Sequence, residues 1–100
     1  MIARLWHGYT THQNAAAYQR LLETEILPGI RAAHRCRIDL LRREHSDQSE
    51  FITICYFETL DEIKAFAGDD YEQCVVPDSA RKLLKHFDQR SQHYEVLRQE

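Results

Sequence analysis

The sequence has little glycine, proline and cysteine, and it has no long apolar run. Three Gly and two Pro among 100 residues argue against a disordered or low-complexity chain. Its cysteines, Cys36, Cys55 and Cys74, are odd in number and widely spaced, so they fit neither a disulfide framework nor a CxxC metal motif. No stretch reaches the roughly 18 apolar residues that a transmembrane helix needs. The sequence therefore predicts no membrane partner.

The first residues of the sequence and its free thiols indicate the cellular compartment. Residues 1–6 are too short and too polar for a secretory signal peptide. Thiols without a disulfide pattern fit a reducing environment. We therefore expect a cytoplasmic protein.

Neither sign of charge dominates the chain. The sequence has 13 basic and 16 acidic residues, which give a formal net charge of −3 at pH 7. Because a general nucleic-acid-binding protein presents a cationic surface to phosphate, this balance predicts no nucleic-acid partner. The sequence also lacks a glycine-rich phosphate loop, a GxSxG motif and a pair of histidines four residues apart on a predicted helix. We therefore expect no metal and no cofactor.

The first apolar segment alternates in the manner of a strand. The alternation predicts a strand over residues 2–8 that ends at Gly8. The side chains of Ala3, Leu5 and His7 share one face, and we expect this face to look towards the helices.

A helix should follow this strand. Residues 10–13 match a capping box with Thr10 as the N-cap. Pro28-Gly29 is expected to interrupt the helix, leaving an irregular turn to about residue 33. The apolar stripe of this helix is predicted to consist of Ala17, Tyr18, Leu21, Leu22 and Ile26.

Two strands are predicted in the middle of the chain. They cover residues 36–43 and 50–57, and the polar segment 45–49 joins them as a hairpin loop. The second of them is apolar on both faces. A strand of this kind belongs in the middle of a covered sheet.

The C-terminal part should contain short helices and one more strand. A second capping box at 59–62 opens a helix that stops at Gly68. Asp70 is expected to cap one further turn, and residues 77–79 to open another helical piece. The last strand is predicted over residues 88–97.

The resulting order, β-α-β-β-α-β, is the split βαβ pattern of an α+β, ferredoxin-like fold over a single domain, 1–100. Strands one and three should lie in the centre of an antiparallel sheet whose helices cover one face. The other face also carries large apolar side chains. A second copy of the same sheet would cover it, so we expect a homodimer.

Four segments resemble one known family in order and spacing. They are Trp6-His7-Gly8, the Leu-Leu-Arg-Arg run at 40–43, the stretch from Phe57 to Tyr71 with Ala-Phe-Ala-Gly-Asp-Asp, and His93-Tyr94-Glu95-Val96. The chain thereby resembles the antibiotic biosynthesis monooxygenase-like family. That resemblance implies sheet-to-sheet dimers that form an α/β barrel, with a small pocket between sheet and helices in each subunit. It implies mixed activities, which include the oxidation of aromatic quinols by O2 without metal or flavin.

A haem-degrading branch of this family uses an Asn on strand one, a Trp on the second helix and a His about ten residues later. The matching positions here are His7, Phe66 and Val76. None of the three residue types is kept, so the resemblance does not extend to haem oxygenation.

His7 is the first candidate for a catalytic residue. It stands at the predicted end of strand one, and a histidine titrates near neutral pH, so it can take a proton from a phenol or orient its oxygen. A half-buried histidine bonded to a backbone group is the alternative interpretation. Candidates for substrate binding, each with a structural role as its alternative, are Phe66, Tyr71, Arg81, His86 and His93.

Two functions remain open from the sequence. One is a cofactor-independent monooxygenase that acts on a small aromatic, quinol-type substrate. The other is a non-catalytic dimeric module that binds a small molecule in the same pocket. Fold alone does not decide between them.

Overall fold

The chain alternates strands and helices in the predicted order. A computed structural model describes residues 1–100. None of its helices has the length and the apolar character that crossing a membrane requires. The elements are β1 (Ile2–Thr10), α1 (His12–Leu21), a π-helical stretch (Leu22–Ile26), α2 (Leu27–Ala33), β2 (Arg37–Glu44), β3 (Ser49–Phe57), α3 (Leu60–Ala67), α4 (Asp78–Arg81), β4 (His86–Phe87) and β5 (Gln92–Glu95).

One antiparallel sheet of five strands organises the domain. Its order is β2-β3-β1-β4, and β5 also pairs with β1. β1 and β3 pair along their full length, from Ile2 opposite Phe57 to Thr10 opposite Ser49. The prediction that strands one and three are central is confirmed, and the α+β arrangement is compatible with a ferredoxin-like fold. The last strand, predicted over residues 88–97, is only the short β5, and a two-residue strand that was not predicted, β4, precedes it; the two pair with different parts of β1.

The prediction that Gly8 ends the first strand is wrong. β1 continues through Gly8 to Thr10 and pairs there with both β3 and β4. A Cβ atom at Gly8 would lie 2.9 Å from the Trp6 ring and 3.0 Å from Leu84 Cδ2. This glycine therefore makes room for packed side chains inside a strand, which is a known use of glycine in sheets.

The first helix begins one residue later than predicted. Thr11, not Thr10, is the N-cap, and its Oγ1 accepts a hydrogen bond of 3.2 Å from the Asn14 backbone N–H. Thr10 still belongs to β1. Ala15 lies in the core and Ala17 is exposed, so the predicted apolar stripe of this helix is wrong at Ala17.

Pro28 does not interrupt the helix. Helical backbone continues to Ala33, because a π-helical stretch precedes the proline and the Leu27 N–H donates to the Leu22 carbonyl, five residues back. Proline lacks an N–H and its ring crowds the carbonyl four residues earlier. In the wider π turn an N–H donates to the carbonyl five residues back instead of four, and the helix passes Pro28 without a break.

The predicted start and end of the second helix are confirmed, and the turn after it is not helical. Only one half of the capping box forms, because Glu62 Oε2 accepts from the Glu58 backbone N–H at 3.1 Å and not from that of Thr59. Thr59 Oγ1 accepts from the Glu62 backbone N–H at 3.2 Å, and Gly68 ends α3 with a φ of 93°. Asp70 does not cap a further turn. Its carboxylate instead pairs with Arg90 at 2.7 Å.

The helices pack against one face of the sheet, which we call the covered face. In β3 it carries Phe51, Cys55 and Phe57, all at most 7% exposed. Paired residues of an antiparallel sheet share a face. Strand β1 therefore contributes Arg4 and Trp6 to the covered face, because Arg4 is opposite Cys55 and Trp6 is opposite Thr53. The expectation that the His7 face looks towards the helices is thus wrong.

The opposite side, which we call the open face, has no helix on it. It carries the odd-numbered residues of β1 and the even-numbered residues of β3. Its apolar members include Leu5, Leu41, Ile52, Ile54 and Tyr94.

Candidate functional site

An apolar cavity lies between the covered face and the helices. Its volume is about 60 Å³, and Trp6 and Phe66 are among its walls. That is room for roughly four to six water-sized groups, at about 10–15 Å³ each. Helical residues of 18–30 close one side, and the segment 75–77 closes another. The polar lining residues are Arg4, Thr53 and Ser91.

Arg4 is the charged group of this cavity, and it is 4% exposed. Its Nη1 donates to the Tyr71 carbonyl oxygen, and its Nη2 donates to the Gln73 carbonyl oxygen at 2.8 Å. The guanidinium carbon lies 5.4 Å from the centre of the Phe66 ring. Burial lowers the pKa of Arg4 from its ordinary value. The two backbone carbonyls and the Phe66 ring together fix the position of this cation beneath the helices.

His93 supports Arg4 from the neighbouring strand. Its Nε2 lies 3.0 Å from Arg4 Nη1. Because a guanidinium only donates, Nε2 accepts this bond and the neutral ring carries its proton on Nδ1. Nδ1 is buried and has no partner. Burial and then the positive charge of Arg4 lower the pKa of His93.

The thiol of Cys55 also lines the cavity, beside Thr53 on β3. Burial raises the pKa of Cys55 to about 12. The thiol is therefore protonated at neutral pH and does not act as a nucleophile, since the thiolate is the reactive form.

His7 lies on the open face and pairs with Asp88. Its Nδ1 is 2.6 Å from Asp88 Oδ2, and its backbone N–H donates to the same oxygen at 2.9 Å. The two side chains are 27% and 28% exposed. A carboxylate that accepts from Nδ1–H leaves Nε2 as the free acceptor, which is the arrangement of a general base. The sheet separates this pair from the cavity.

The other predicted substrate-binding residues divide between the two faces. Phe66 is a wall of the cavity. Tyr71 and His93 do not line the cavity, but both are hydrogen-bonded to Arg4. Their rings pack edge to face, with their centres 5.2 Å apart. His86 belongs to β4 and stacks on Tyr9 of the open face at 4.3 Å. Arg81 is exposed on α4, and its guanidinium carbon lies 5.2 Å from the centre of the Phe87 ring.

Arg4 and Asp88 were missed as site residues. Arg4 does leave a signal in the sequence, because it is the one charged residue between Ile2 and Trp6 on an otherwise apolar side of β1. Asp88 leaves none, since it is 81 positions from His7 and meets it only through the pairing of β1 with the C-terminal segment. No group of three or more His, Cys, Asp or Glu side chains converges to hold a metal ion.

Comparison of the chain with family models, curated proteins and solved structures found no match.

Proposed function

We propose that this chain is a small-molecule-binding module whose ligand occupies the cavity between the sheet and the helices. The observation that carries this proposal is the cavity itself, with Trp6 and Phe66 as apolar walls and the buried cation Arg4 as its polar anchor. Ligand sites commonly combine apolar walls with one or two fixed polar groups.

Binding is favoured over catalysis because the cavity has no available base. His93 Nε2 is occupied by Arg4, and Cys55 is protonated at neutral pH. His7, the predicted base, lies on the other face of the sheet with Asp88. A general base must come within hydrogen-bond reach of the proton it removes, about 2.6–3.2 Å or one water away.

The open face supports a dimer as the working form. It combines apolar side chains with no covering helix, in a chain of 100 residues. A second copy of the same sheet presents the same apolar surface, and packing the two sheets face to face would close an α/β barrel about a twofold axis. The cavity of each copy would then remain on the outer, helical side of its own sheet.

A cofactor-independent monooxygenase, as in the resembled family, is the second candidate. One observation favours it, because a buried guanidinium next to an aromatic wall would stabilise the phenolate of a quinol. In the keto tautomer of this phenolate, O2 would then convert the ring CH2 into a carbonyl, with one oxygen atom becoming the carbonyl oxygen and the other leaving as water. The cavity of about 60 Å³ is small for a fused-ring substrate, so the helices would have to move.

Tryptophan fluorescence tests the binding proposal directly. Trp6 is the single tryptophan of the chain and lines the cavity. Titration with butanol and phenol should change its emission in a saturable way in the wild type. Thr53→Ile, which fills the cavity from β3, should abolish the response, whereas Ile52→Leu on the open face should keep it. An unchanged response in Thr53→Ile would contradict the proposal.

Oxygen consumption separates the two candidates. A panel of quinols, incubated with the protein in air and under nitrogen, should give no O2 uptake above that of buffer if the chain only binds. Protein-dependent uptake that Thr53→Ile abolishes would establish the monooxygenase instead.

A further inference from the structure

We propose that the ligand of the cavity is a small carboxylate, whose charged group pairs with Arg4. The inference rests on the proposed function, because it names the class of ligand for the same cavity. It is drawn from the charge, the hydrogen bonds and the surroundings of this one arginine.

The charge of Arg4 has no counterion within the chain. All ion pairs of the structure join other residues, so no carboxylate oxygen lies within 4.0 Å of the guanidinium. Its polar partners are two backbone carbonyls and a neutral imidazole. Buried charges in proteins are usually paired, because an isolated one is costly to remove from water. An anion in the cavity would supply the missing partner.

The hydrogen bonds leave the guanidinium with donors to spare. An arginine has five N–H groups, and three of them are used by Tyr71, His93 and Gln73. The two that remain are on Nε and Nη2, which share one edge of the guanidinium. A carboxylate meets such an edge with two parallel hydrogen bonds.

The other lining residues of the cavity determine which tail the carboxylate can carry. Of its 15 lining residues 11 are hydrophobic, and Arg4 is its one cation. A single positive charge suits a monoanion, and a multiply charged phosphate would leave negative charge uncompensated in an apolar place. A volume of about 60 Å³ fits a short aliphatic tail. These properties together favour a short-chain carboxylate such as butyrate.

Titration of the wild type with butyrate and with butyramide, at equal ionic strength, tests the inference. The two probes have nearly the same shape and differ in charge. Trp6 emission should report butyrate binding that is about tenfold or more tighter than butyramide binding. Equal saturable binding of both would overturn the anion inference and leave the binding module standing. No saturable binding of either probe would overturn the inference and count against the module as well.

Variants test whether Arg4 causes the preference for butyrate over butyramide. Arg4→Met should remove the preference for butyrate, while Arg37→Met, which removes an exposed cation of β2, should keep it. Should Arg4→Met fail to fold, Thr53→Ile provides the test, because it keeps Arg4 and fills the cavity. Loss of butyrate binding in Thr53→Ile supports the inference. Retention of the full preference in either Arg4→Met or Thr53→Ile would overturn it.

Discussion

The covered and the open face of the sheet belong to the same strands, but they differ in how their charged side chains are paired. On the covered face, Arg4 is buried and has no acidic partner. On the open face, His7 pairs with Asp88 at 2.6 Å and Arg37 pairs with Asp39 at 3.2 Å.

This difference indicates which face of the sheet needs a ligand. The pairs of the open face are partly exposed, and such pairs contribute little to stability, about 0–1 kcal/mol each. A buried cation without an acidic partner is different, because the chain has removed it from water and provided only neutral acceptors. The covered face is therefore where we place ligand binding, and the open face is where we place the second subunit.

The largest expected effect is the loss of a core side chain on the covered face. Phe51 is 1% exposed and packs edge to face against Tyr18 at 5.0 Å. Phe51→Ala should lower the free energy of unfolding by about 3–5 kcal/mol, because it removes buried apolar surface and leaves a cavity. Leu97→Ala, beyond the end of β5 and 87% exposed, should change it by no more than about 0.5 kcal/mol. Denaturant unfolding measures both, and a loss in Phe51→Ala as small as that in Leu97→Ala would show that the covered face is not the core.

The sequence predicted the existence and the order of the elements well, because apolar periodicity and capping residues act locally. Thr59 and Gly68 bound α3 as expected. Long-range packing decided what the pattern did not show. Gly8 continues a strand because it pairs with both Phe51 and Phe87, and the Trp6 ring occupies the space that a Cβ would need.

The site was harder to predict than the fold, because strand β1 is apolar on both faces. Alternation gives two sets of residues but does not say which set meets the helices. That choice decides whether His7 or Arg4 faces the cavity, and the pairing with Cys55 places Arg4 there. The His7–Asp88 pair depends on contacts across the sheet, which periodicity does not report.

The second prediction concerns the open face. Ile54→Asp places one carboxylate from each copy in the proposed sheet-to-sheet interface. Because unpaired buried charges are costly, the dissociation constant of the dimer should rise roughly 10³-fold. Sedimentation velocity at micromolar concentration should show a mass of two chains for the wild type and of one chain for the variant. Gln13→Asp, which adds the same charge on the exposed side of α1, should remain dimeric. A wild type of single-chain mass would refute the dimer.

The third prediction separates His7 from the cavity. His7→Asn removes the ring that pairs with Asp88, and because both side chains are partly exposed the free energy of unfolding should fall by no more than about 1 kcal/mol. Butyrate affinity should stay within a factor of two of the wild type, since His7 points away from the cavity. Calorimetric titration measures this affinity. A tenfold weaker affinity would show that the two faces are coupled.

The smallest expected effect concerns pH and His93. Burial and the charge of Arg4 lower its pKa below the ordinary 6.5, and Glu72 opposes them. Between the lowered and the ordinary pKa, the unfolded chain binds a proton at His93 that the folded chain does not. The contribution of His93 to stability is therefore complete above about pH 6.5 and is lost as the pH falls through this interval. The melting temperature of the wild type should fall more between pH 7.5 and pH 5 than that of His93→Gln, whose amide oxygen can still accept from Arg4. Comparing the two proteins cancels the other titrating groups. An equal fall in both would show that the folded chain protonates His93 as readily as the unfolded chain does.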